Sequence, residues 1–143
     1  MNILKIYFKK CTFAINLNTT TNNYITMKHL IIKDIINSEL AVSTENGERV
    51  FEIVNSYLEK DEKVELDFAG ITIMITAFLN AAIGKLYGKK EYTPAFLNEH
   101  LKLENVEKED RALFKDVIQR AKEYFADKEN FEKNNKNAIY GND

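Results

Sequence analysis

The sequence has one cysteine, one proline, five glycines, two histidines and no tryptophan. The lone Cys11 excludes a disulfide framework and any zinc site built on thiolates, because both need several cysteines. His29 and His100 form no His-x-x-x-His pair, and no Gly-x-Ser-x-Gly elbow offers them a nucleophile. The few glycines compose neither a Walker-type loop nor a Gly-x-Gly-x-x-Gly turn, so the common phosphate cradles are missing. No apolar run approaches the roughly 18 to 20 residues of a membrane span. Acidic residues are missing from one stretch. Residues 1–26 carry Lys5, Lys9 and Lys10 and no Asp or Glu, a net +3. Residues 27–143 carry 17 basic and 22 acidic residues, a net −5. That acidic body argues against nucleic acid as a partner, since phosphate binding needs a basic face.

What remains is an ordinary globular composition, with 45% apolar and 29% charged residues over 143 positions. This length suits one domain, and it buries roughly two-thirds of the surface exposed by the unfolded chain. The expected organisation is an N-terminal extension over 1–26, a domain over 27–126 and a polar, fraying tail over 127–143. The extension reads as an edge strand or hairpin, as a disordered arm, or as an artefact of an upstream start codon with Met27 as the true beginning. It makes a poor signal peptide, because lysines interrupt its apolar run and no small-x-small cleavage site follows. The expected location is cytoplasmic.

From Met27 onward, strands alternate with helices. KHLIIKDII (28–36) is β-branched and apolar, as in a strand. Ser43 or Thr44 can cap a helix whose face is Val50, Phe51, Ile53, Val54, Tyr57 and Leu58. VELDFAGI (64–71) alternates as a strand ending at Gly70. ITIMI (71–75) leads into a second helix, capped by Thr76, with Phe78, Leu79, Ala82, Ile83 and Leu86 on its apolar face. Thr93-Pro94 starts a short helix reaching His100, LKLENV (101–106) is a strand, and a last helix starts near Glu107. Its face is Leu113, Phe114, Val117, Ile118, Ala121 and Phe125. Strands joined through helices imply parallel pairing. The fold class is therefore α/β: a small single domain with a mostly parallel or mixed sheet of about four strands and helices packed on it.

Little of this carries chemistry. No catalytic residue, metal site or cofactor is expected. Asp61-Glu62 and the acidic run at 107–110 fit a turn and a helix start. Asp67 is a polar group at a strand end. The turn at Thr76 is the one place where physics allows a site. Loops at the C-terminal ends of parallel strands form the usual functional edge, and a helix start stabilises an anion or a phosphorylated hydroxyl. Thr76 is the hydroxyl there, and its plain role is an N-cap.

VELDFAGITIMITAFLNAAIGKLYG (64–88) resembles the central motif of STAS domains, the fold of bacterial anti-sigma-factor antagonists. Their pattern is an apolar strand, a short connection, then Asp-Ser-Ser-Gly-Leu at a helix start. Ile75 to Leu79 registers on it without a gap. The match is closer still to an uncharacterised STAS-like bacterial family, through Asp67-Phe68, Thr76, Phe78-Leu79-Asn80 and Gly84-Lys85-Leu86. Gly47-Glu48 and the closing helix extend it over roughly 28–126. In STAS antagonists a Ser of this turn is phosphorylated by a kinase of the GHKL ATPase class, and the unphosphorylated form binds that partner.

The resemblance implies a non-enzymatic regulatory module that binds a protein partner, such as a GHKL-type ATPase or histidine-kinase-like protein, through 72–89. Thr76 would be the phospho-acceptor, with Phe78, Asn80 and Lys85 on the interaction surface. Phe78 also falls on the helix's apolar stripe, so core is its other reading. Ile75, Ala77 and Phe78 replace the Asp, the second Ser and the Gly of the motif, which removes polarity and adds bulk. Two alternatives stand beside this reading. One is a small-ligand or nucleotide binder, or weak enzyme, using the helix start at Thr76. The other is an adaptor in a phage or mobile-element system.

Overall fold

A computed structural model describes residues 26–140, with side chains up to residue 130 except residue 129. The readings of residues 1–26 therefore lie, but for residue 26, outside the described residues. The first strand, β1 (Lys28–Ile31), is shorter than its apolar run suggests, because Ile32–Ile36 turns into a one-turn helix, α1. The reason is local. A strand through Ile36 would put Asp34 on one face with Ile32 and Ile36. The helical turn instead buries both isoleucines and leaves Asp34 in water.

Next come a two-residue strand, β2 (Leu40–Ala41), and helix α2 (Thr44–Leu58). Ser43 caps α2, its hydroxyl accepting from the Asn46 amide at 3.0 Å. Val50, Val54 and Leu58 are buried along α2 at the expected helical spacing. Strand β3 (Val64–Asp67) follows, then β4 (Ile73–Met74), helix α3 (Thr76–Ala82), a 3-10 turn (Gly84–Gly88), helix α4 (Pro94–His100) and strand β5 (Leu101–Glu104). The last helix, α5, starts at Arg111 rather than near Glu107 and runs to Tyr140, through the polar stretch expected to fray.

The strands fall into two parallel sheets. One has the order β1-β3-β5, and the other pairs β2 with β4. In the larger sheet Leu30, Leu66 and Leu103 share a row and face the core, with α2 packed on β3. The next rows face the other way: His29, Glu65 and Lys102, then Ile31, Asp67 and Glu104.

Helix α2 crosses α3 at contact distance because Gly47 has no side chain. A Cβ there would lie 2.5 Å from the Phe78 carbonyl oxygen and 2.7 Å from the Ala81 Cβ. α5 closes the core from the other end, where Phe114 meets Phe68 edge-on with ring centroids 5.0 Å apart. A polar clasp ties the 84–93 connection to α2. The Lys89 ammonium donates to Asn55 Oδ1 at 2.8 Å and to Glu59 at 3.0 Å, and the Tyr92 hydroxyl donates to Asn55 Oδ1 at 2.9 Å.

Candidate functional site

The turn that carries Thr76 is held by the small sheet. The Ile75 amide donates to the Ala41 carbonyl at 3.1 Å and the Thr72 amide to the Glu39 carbonyl at 2.8 Å. This pairing lays 40–42 beside 73–75, with Leu40 opposite Ile73 and Ala41 opposite Met74. Because strand side chains alternate, Ala41 and Met74 turn inward. Leu40, Val42, Ile73 and Ile75 turn outward and are 42%, 42%, 54% and 38% exposed. They are four of the seven large apolar side chains exposed among the described residues. Sequence reasoning missed them, because it assigned no strand between residue 36 and the Ser43 cap and took 71–75 only as the lead into a helix. The one available signal was a pair of short apolar alternations, Leu-Ala-Val and Ile-Met-Ile.

Thr76 is not the cap of α3. The capping position is Ile75, which has no side-chain oxygen, and Thr76 is the first helical residue. Among the described residues its hydroxyl has no hydrogen-bond partner, and the residue is exposed. Asn80, one helical turn on, is exposed as well. Lys85 is exposed and pairs with Glu48 of α2 at 2.6 Å. Phe78 is the correction. It is 0% exposed, among the largest fully buried side chains, so it belongs to the core and not to an interaction surface. The reason is its place on the apolar stripe, where it packs against α2 beside Gly47.

Asp67 stands apart from this turn, at the end of β3. It is buried, and its Oδ1 accepts from the Asn105 side-chain amide and the Ala69 backbone amide, each at 2.8 Å. Its Oδ2 lies 3.2 Å from His29 Nε2. The Asn105 bond, the Ala69 bond and the imidazole together outweigh burial and hold the Asp67 carboxyl below the usual carboxylate range. Asp67 thus ties the C-terminal ends of β3 and β5 together and reaches β1 through His29. His100 is the other buried polar residue, with Nδ1 at 2.9 Å from the Phe96 carbonyl and Nε2 at 3.0 Å from Asp61. Both imidazoles are bound into structure. Among the described residues, no three His, Cys, Asp or Glu side chains cluster to hold a metal ion, and no helix is long and apolar enough to cross a membrane.

The domain is a small α/β unit, with parallel strands, helices packed on them and an apolar turn leading from the small sheet into a short helix. Residues 46–111 match the model of a family described as a STAS-like domain of unknown function (DUF4325). That match spans α2 through β5 and contains the 64–88 segment on which the resemblance rests. No curated protein and no solved structure matches the chain.

Proposed function

We propose that the protein is a non-enzymatic regulatory module. It docks a protein partner on the outward face of β2 and β4 and on the adjoining start of α3. The observation that carries this reading is the row of Leu40, Val42, Ile73 and Ile75, exposed together beside Thr76. An apolar patch on an otherwise charged surface marks an interaction site, because covering it releases water without burying unpaired charge. The partner that the STAS resemblance supports is a GHKL-type ATPase or histidine-kinase-like protein in the cytoplasm. Thr76 is the phospho-acceptor of this reading. Its hydroxyl is exposed and engaged with no other group among the described residues. A phosphate there adds nearly two negative charges at the edge of the apolar face, which opposes docking of an apolar partner.

The test is incubation with a GHKL-type ATPase from the same genome. Complex formation is read by size-exclusion chromatography without ATP, and phosphorylation by intact mass with ATP. The expected result is a complex that Ile73→Asp abolishes, and one added phosphate that Thr76→Ala prevents. A complex unaffected by Ile73→Asp would overturn the docking face. Equal phosphate on Thr76→Ala would overturn the switch.

A further inference from the structure

The structure carries a second, separate concavity. A cleft of about 840 Å³ opens where the C-terminal ends of β3 and β5 part, between Ala69-Gly70 and the 105–107 loop. It shares no residue with the apolar face of β2 and β4. We propose that this cleft binds a small zwitterion of dipeptide size with an apolar side chain, holding its carboxylate on Arg111 and its ammonium on Glu107.

Three observations converge. The first is position and size. Ligands of parallel α/β sheets bind beyond the carboxyl ends of the strands, and the volume lies within the roughly 300–1,000 Å³ of small-molecule sites. The second is the floor, where Leu103, Val106 and Phe114 line the cleft. Phe114 is seated edge-on against Phe68, so this floor is rigid and apolar.

The third is the charge at the mouth. Arg111 lines the cleft and is exposed, and among the described residues no carboxylate lies within ion-pair distance of it. A guanidinium with its fork free is suited to bidentate carboxylate recognition. Glu104 and Glu107 line the same cleft. Glu104 is already paired with Lys102 at 2.6 Å, which leaves Arg111 and Glu107 as one open charge of each sign. One open charge of each sign favours a ligand with one negative and one positive end.

The walls are built to stay open. Asn105 has φ 53° and Gly70 φ 78°, and the Asp67 carboxylate pins both loops by accepting from the Asn105 side chain and the Ala69 amide. At Gly70 a side chain would be strained by that left-handed backbone.

The probe is the dipeptide leucyl-leucine, titrated to about 10 mM against the full chain, with thermal shift and amide chemical shifts as readouts. The expected result is a rise in Tm, with shifts confined to residues 69–70 and 103–114. N-acetylation or C-amidation of the peptide, Arg111→Gln and Glu107→Gln should each weaken binding about tenfold or more. Circular dichroism of each variant checks that it is folded. No shift at the highest concentration would overturn the proposal. So would equal binding of the blocked peptides or by Arg111→Gln, or binding of AMP in place of the dipeptide.

Discussion

The two sheets treat their outward faces in opposite ways. Beside the lone exposed Ile31, the larger sheet presents polar and charged side chains that bond to one another. His29 reaches Asp67 and Glu65 at 3.2 and 3.7 Å, and Lys102 pairs with Glu104 at 2.6 Å. The small sheet presents four aliphatic side chains and covers none of them. A face whose polar groups bond to one another is complete in water. A face of exposed Leu, Val and Ile leaves a free energy of burial unclaimed, roughly 25 cal/mol per Å² of apolar area, and a partner can collect it. The contrast is what supports the proposed docking face on the small sheet rather than on the large one.

The sharpest way to break that contrast is at Phe78, which lies in the docking segment by sequence and in the core by structure. Phe78→Ala should cost about 3–5 kcal/mol, the range for emptying a buried aromatic site. The measurement is the urea midpoint at unchanged m-value. A loss under about 1 kcal/mol would place the ring on the surface and move the docking face onto α3.

A smaller effect is expected at Asp67, the hub of the large sheet. Asp67→Ala should cost about 1–3 kcal/mol at neutral pH, because it strands the Asn105 and Ala69 amides. The pH dependence has a definite sign. The folded carboxyl titrates below its unfolded value, so its contribution is complete above about pH 4 and is lost as pH falls through the folded value. Wild type and variant should therefore converge in acid. Parallel pH profiles would show that the Asp67 charge contributes nothing to the sheet.

Much of the fold was legible in the sequence, wherever a pattern ran long enough to repeat. Helix α2 shows one apolar face recurring from Val50 to Leu58, and Thr93-Pro94 marks the start of α4, with the Thr93 hydroxyl accepting from Phe96 at 3.1 Å. The STAS-like resemblance was legible in the unbroken run 64–88. The small sheet was not, because a two-residue strand has no period to detect. The cleft was not either. Ala69 and Asn105 are far apart in sequence and meet only through the parallel pairing of β3 with β5. Capping at Thr76 was misplaced by one residue, since a hydroxyl at a helix start is a strong cap signal and here the chain spends its cap position on Ile75.

The smallest stability effects belong to the docking face itself, and there they sharpen the contrast most. Ile73→Asp and Leu40→Ser remove exposed apolar surface and create no buried polar group, so each should change stability by about 0.5 kcal/mol or less. Thr76→Ala should be neutral as well, because no cap bond is lost. Ile75→Ser is the informative companion. It places a hydroxyl at the capping position, and an added N-cap contributes about 0.5–2 kcal/mol. Stabilisation by Ile75→Ser with loss of partner binding would mean that the chain keeps an uncapped helix in order to keep an exposed isoleucine. Stabilisation with binding intact would remove Ile75 from the docking face and leave Leu40, Val42 and Ile73 as its centre.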